Sequence, residues 1–123
     1  ATSDDGLEWK RDGRVAIDFK DNNEMALARP WVIKDDDIYI MWFSFKGEIN
    51  KGSGYRLGYA ESYDGLDWER MDDQVGITVS KEGWDSEMIE YAAVIPFKDK
   101  YYMFYNGNNY GEGGIGLAIG TKY

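Results

Sequence analysis

Ser62-Tyr63-Asp64-Gly65-Leu66-Asp67-Trp68-Glu69-Arg70 decides the fold, because Ser3-Asp4-Asp5-Gly6-Leu7-Glu8-Trp9-Lys10-Arg11 carries the same pattern 59 positions earlier. Asp-Gly between a serine and Leu-x-Trp signals a tight turn: glycine tolerates positive φ, and the aspartate side chain caps nearby backbone amides. The tryptophan then opens a short strand, Trp9–Arg11 in one copy and Trp68–Arg70 in the other. Asp37-Ile38-Tyr39-Ile40-Met41-Trp42-Phe43-Ser44 recurs 62 positions later as Asp99-Lys100-Tyr101-Tyr102-Met103-Phe104-Tyr105-Asn106. Gly58-Tyr59-Ala60 recurs 58 positions later as Gly116-Leu117-Ala118. Three blocks in one order at nearly one offset mark an internal repeat.

Each repeat reads as inner strand, turn, long strand, loop, third strand, Asp-Gly turn and outer strand. The inner strands are Ala28–Lys34 and Glu90–Phe97; Trp31–Ile33 and Ala92–Phe97 read as apolar runs buried on both faces. Ile38–Phe45 and Tyr101–Tyr105 are rich in aromatic and β-branched residues, which suit pleated, half-buried surfaces. Arg56–Glu61 and Gly114–Ile119 supply the third strands. The expectation is an all-β chain of two four-stranded antiparallel blades. The chain 1–123 is one domain, with residues 3–61 as the first repeat and 62–120 as the second. The register is permuted: outer strand Leu7–Arg11 stands before any sheet, and third strand Ile115–Ile119 has no outer strand after it. Unpaired edges invite another chain, so a homo-oligomer is expected, a dimer before a trimer.

The composition narrows the chemistry. The formal charge is −9 and the pI about 4.4, which speaks against a nucleic-acid or anionic-membrane partner. The absence of cysteine removes disulfides, thiolate–zinc sites and a thiol nucleophile. The absence of histidine removes the commonest general base and any Ser-His-Asp triad. Acid–base work therefore falls to carboxylates, tyrosine or lysine. Asp35-Asp36-Asp37 lacks the pattern of a calcium hand and reads as a solvated turn. Gly111-Glu112-Gly113-Gly114 is not followed by the Lys-Ser/Thr of a phosphate loop. No metal and no cofactor is expected.

Ala28-Arg29-Pro30-Trp31-Val32-Ile33, Asp37-x-Tyr39-x-Met41-Trp42-Phe43-Ser44 and Gly58-Tyr59-Ala60-Glu61-Ser62-x-Asp64-Gly65-Leu66-x-Trp68 carry a family resemblance. So do Trp84-Asp85-Ser86-Glu87-Met88-Ile89-Glu90-Tyr91, Tyr102-Met103-Phe104-Tyr105-Asn106-Gly107 and Gly114-Ile115-Gly116-Leu117-Ala118. The sequence resembles the five-bladed β-propellers of glycoside hydrolase families 43 and 32, over roughly their last two blades. The resemblance implies a site at the starts of the inner strands, with acidic groups on different blades. It implies that Glu90, two residues before Ala92, is the general acid. Its counterpart in the first repeat is Ala28, and Arg29 stands where many members carry aspartate before proline. A carbohydrate-binding or carbohydrate-processing propeller portion, inactive alone, is the function implied. The alternative is a non-catalytic self-assembling propeller module.

Glycoside cleavage generally uses two carboxyl groups. Glu90 is the catalytic candidate, and a structural ion pair with Arg29 is its bland alternative. Arg29 is also a candidate to hold a carboxylate or phosphate bidentately, with a salt bridge inside the channel as the alternative. Glu87 is a loop residue that reads as solvated or as a ligand contact. Trp84, Tyr91 and Tyr110 lie at strand starts or in loops and are candidate sugar-stacking residues. Trp42 and Tyr105 read as inter-blade core, and Trp9 and Trp68 as structural parts of the repeat.

Overall fold

The computed structural model describes residues 1–47 and 54–122. Its strands are β1 (Glu24–Asp35), β2 (Ile38–Gly47), β3 (Arg56–Ser62), β4 (Glu69–Arg70), β5 (Glu90–Phe97), β6 (Lys100–Asn106) and β7 (Ile115–Thr121). They form one antiparallel four-stranded sheet, β1-β2-β3-β4, and one antiparallel three-stranded sheet, β5-β6-β7. Each sheet opens with a hairpin closed by two residues. Asp35 pairs with Ile38 across Asp36-Asp37, and Phe97 with Lys100 across Lys98-Asp99. The acidic run is thus a turn, as its composition indicates. The only helical pieces among the described residues are a single 3-10 turn, Asp72–Gln74, and a four-residue turn, Asn108–Gly111. In the latter Asn109 and Tyr110 are left-handed.

Three expectations need correction. The second sheet has three strands among the described residues, not four. Residues Leu7–Arg11 form no strand: only an isolated bridge joins Thr2 to Lys10. A strand requires a ladder to join, and none runs beside this segment. The inner strands are not covered on both faces: Val32 lies half in solvent, as do Ile95 and Phe97.

The main core lies between the sheets. Ile40, Trp42, Leu57 and Tyr59 from the first meet Ile89, Ala92, Val94, Met103 and Tyr105 from the second. Trp42 and Tyr105 are inter-sheet core residues, as read from the repeat. Trp31 crosses the interface and donates its indole N–H to the Val94 carbonyl at 2.8 Å. A smaller cluster, Met41, Phe43 and Ala60, covers the opposite face of the first sheet beneath Ile17, Leu27 and Trp68.

Arg70 fastens that face. It hydrogen-bonds Glu24 at 2.5 Å and Asp72 at 2.7 Å and lies over the rings of Phe43 and Phe45. Burial works against its charge, but the bonds from Glu24 and Asp72 outweigh it and raise its pKa. Gly58 makes the approach possible, since a Cβ there would lie 2.3 Å from the Phe43 ring.

Candidate functional site

The two inner strands carry the same irregularity at the same repeat position. In β1 the register slips between Ala28 and Trp31; in β5 it slips between Glu90 and Ala93. Ala28 pairs with Ser44 and Glu90 with Asn106, positions that correspond in the repeat. Each bulge holds one non-glycine residue in the left-handed region: Arg29 at φ 46° and Tyr91 at φ 57°. Such residues cost on the order of 1–3 kcal/mol each and persist where surrounding structure imposes them. Bulges of this kind re-aim side chains, and they gather near sites.

The two bulges are tied together. The Tyr91 N–H donates to Oγ of Ser44, the residue opposite Ala28, at 2.9 Å. Ser44 is fully buried. One hydroxyl in the first sheet therefore takes up the amide that the bulge of the second sheet leaves without a ladder partner.

Glu90 precedes that amide and is 0% exposed. Neither carboxyl oxygen has a hydrogen-bond partner among the described residues. Burial alone pushes its pKa up to about 7, since a charge without partners is disfavoured away from water. Near neutral pH the group is thus divided between its charged and protonated forms, and the protonated form is able to donate. The alternative pairing with Arg29 is not formed: Arg29 is exposed and makes no ion pair among the described residues.

Tyr91 sits in a group of tyrosines. Its ring lies 6.0 Å from that of Tyr55, and Tyr55 lies 6.3 Å from Tyr110. Burial raises the Tyr91 pKa; Tyr55, Glu90 and Tyr110 add to the shift and the Arg29 cation opposes it. Glu90, Arg29, Tyr91 and Tyr110 are therefore brought into one electrostatic neighbourhood. Tyr55 belongs to it as well, although no repeat block or motif marks that residue. Its only sequence signal is an aromatic side chain just before a strand.

Trp84 and Glu87 take other places. Trp84 stacks on Tyr105 with centroids 5.5 Å apart and lies against Gly107 and Gly116. A Cβ at either glycine would fall within 2.4 Å of its ring, so the indole fills a slot the glycines leave open. Tyr105 in turn donates to the buried Asp85 at 2.9 Å, and burial with that bond pushes its pKa up to about 12. The backbone of Glu87 is fixed at both ends: its N–H donates to Asn108 and its carbonyl accepts from Arg56. Its side chain is exposed. Among the described residues no group of three or more acidic side chains converges as a metal site would require.

No family model matches the chain. Two uncharacterized proteins of Mycobacterium tuberculosis, from strains H37Rv and CDC 1551, are each 40% identical to it over 119 residues. The match takes in 97% of this chain and 38% of each relative, so the chain spans well under half the length of these relatives. Among solved structures, a glycoside hydrolase superposes with a TM-score of 0.69 at 22% identity, over 98% of this chain and 34% of that one. A BT0996 RGII complex gives 0.64 at 19% identity, over 93% of this chain and 32% of that one. At these identities the likeness is one of fold: this chain has the architecture of about a third of a glycoside hydrolase.

Proposed function

We propose that the chain is a two-blade portion of a β-propeller of the family 43 and 32 glycoside hydrolase type, serving carbohydrate binding or processing. Glu90 carries the reading. It is a buried carboxyl without a hydrogen-bond partner among the described residues, it keeps a protonated fraction up to neutral pH, and it stands at a strained bulge beside Tyr91. Those are the properties of a general acid that protonates a leaving oxygen. The glycoside hydrolase fold neighbour supports the same class.

The second carboxyl that cleavage needs would come from other blades, and Arg29 occupies one of the acidic positions. The chain by itself should therefore bind saccharide through Tyr91, Tyr110 and Tyr55 without hydrolysing it. An aryl-furanoside assay on the purified chain tests this. Background rates support the reading; robust turnover abolished by Glu90→Gln would make the chain an enzyme in its own right.

One observation favours a second reading, a self-assembling module. Phe104 and Leu117 lie half in solvent on the outer face of the second sheet. They are the repeat images of Trp42 and Tyr59, which in the first sheet pack against a following sheet. A second copy could cover that face and lay its Leu7–Arg11 segment along β7, as β4 lies along β3. A particle mass of one chain in solution rules this out. A dimer or trimer that dissociates when residues 1–11 are deleted supports it.

A further inference from the structure

We propose that Arg29 makes the bulge site selective for an anionic saccharide: a sugar lying over Tyr55, Tyr91 and Tyr110 presents a carboxylate to the Arg29 guanidinium. The inference rests on the saccharide reading above and adds the ligand's charge.

Arg29 differs from the other arginines of the two sheets. Arg56 donates to the carbonyls of Tyr55 and Glu87, and Arg70 is held by Glu24 and Asp72. Arg29 is exposed and has neither an ion pair nor a hydrogen bond among the described residues. In a chain with 23 acidic against 14 basic residues, carboxylates to neutralise such a cation are plentiful. Arg29 nevertheless stays unpaired among the described residues, and its bulge adjoins that of Tyr91 through Ser44, which pairs with Ala28 and accepts the Tyr91 N–H.

Glu90, the residue before Tyr91, has no hydrogen-bond partner among the described residues, and burial raises its pKa to about 7, so below neutral pH it is mainly uncharged and does not cancel the guanidinium. Below neutral pH the local charge at the site is thus positive within a strongly acidic chain. A planar guanidinium takes a carboxylate through two parallel N–H···O bonds. Tyr91 of the adjoining bulge, with Tyr55 and Tyr110 grouped around it, offers ring faces for the C–H surface of a sugar. A neutral sugar would use the rings and leave the guanidinium unmatched; a uronic acid would use both.

NMR titration of the full chain with tri-galacturonate, its carboxyl-reduced counterpart and a hexose 6-phosphate tests the assignment. We expect the uronate to bind about tenfold more tightly than the reduced sugar, with Tyr55, Tyr91 and Tyr110 signals shifting. Arg29→Gln should abolish the difference, and Arg29→Lys should keep part of it, since a point charge lacks the paired geometry. All three side chains bear the same left-handed backbone cost, so fold loss does not confound the series. Equal affinity for acid and neutral sugar, or a preference that survives Arg29→Gln, overturns the charge assignment while leaving saccharide binding intact. A preference for the phosphate overturns the carboxylate. Binding of none of the sugars overturns both this inference and the reading beneath it.

Discussion

Ser3–Arg11 and Ser62–Arg70 are nearly one sequence in two settings. Their turns agree bond for bond. Serine Oγ meets aspartate Oδ1 at 3.0 Å in both, and the glycine N–H donates to the serine at 2.8 Å and 2.9 Å. The next two amides close on the aspartate at 2.8 Å and 2.9 Å in each copy. Those amides, with the serine hydroxyl, hold Asp5 and Asp64 below the usual carboxylate range. Beyond the turn the copies part. Trp68 is half-buried and leads into β4, whereas Trp9 is 62% exposed and leads into no strand. Leu66 is 45% exposed and Leu7 84%. The turn is a local object that nine residues can build. The strand is a tertiary object that exists only where a sheet edge receives it.

The largest test of that difference is Arg70 against Arg11. Arg70→Ala strands Glu24 and Asp72 and removes the cover from two phenylalanines. It should cost roughly 3 kcal/mol in a urea melt, while Arg11→Ala should cost less than about 0.5 kcal/mol. Equal effects would mean that the first copy is ordered against something in solution.

The two bulges allow a second test, since Glu90 stands where the first repeat has Ala28. Below about pH 4.5 this carboxyl is protonated in both folded and unfolded chains. As pH rises toward about 7, the unfolded chain loses the proton while the folded one keeps it, so stability falls; above 7 the loss is complete. Melts from pH 4 to 8 should show a decline on the order of 3 kcal/mol across this window, absent in Glu90→Gln. A parent profile no steeper than that of the variant would mean that water or an unseen partner reaches the carboxyl.

A smaller contrast lies in the turn glycines, both at positive φ. Gly65→Ala should lower stability by about 1 kcal/mol, and Gly6→Ala should leave the global melt unchanged. The smallest effect has the opposite sign. Arg29→Gly relieves a left-handed arginine and should raise stability by about 0.5 kcal/mol, even as it removes the proposed anion contact. A loss of stability there would show that the guanidinium has a structural partner.

Much of the fold was legible because strands repeat their chemistry. The aromatic β2 and β6, the two Asp-Gly turns and the core roles of Trp42 and Tyr105 follow from matching blocks at one offset. Leu7–Arg11 reads as a strand because it shares its leucine, tryptophan and arginine with Leu66–Arg70, and such a match carries no information about a missing neighbour. Of the candidate residues, Arg29 and Tyr91 stand in the two bulges, Glu90 at the start of the second and Tyr110 in the tyrosine group of Tyr91, but nothing in Arg29 or Tyr91 announces a left-handed backbone, which non-glycine residues adopt only under compulsion. Trp84 reads as a ligand candidate because it lies in a loop, and its packing partners are written farther along, in Gly107 and Gly116, whose missing side chains leave room for its ring.

The bond from the Tyr91 amide to Ser44 bears on how such a repeat can be inherited. A blade is usually pictured as the unit that duplicates and recombines. Here the backbone of one sheet's bulge is completed by a hydroxyl of the sheet before it, while the corresponding position in the second sheet is Asn106. The second sheet taken alone would leave its bulge amide without this acceptor. The structural unit at this position is the junction, a bulge together with the second strand of the preceding sheet.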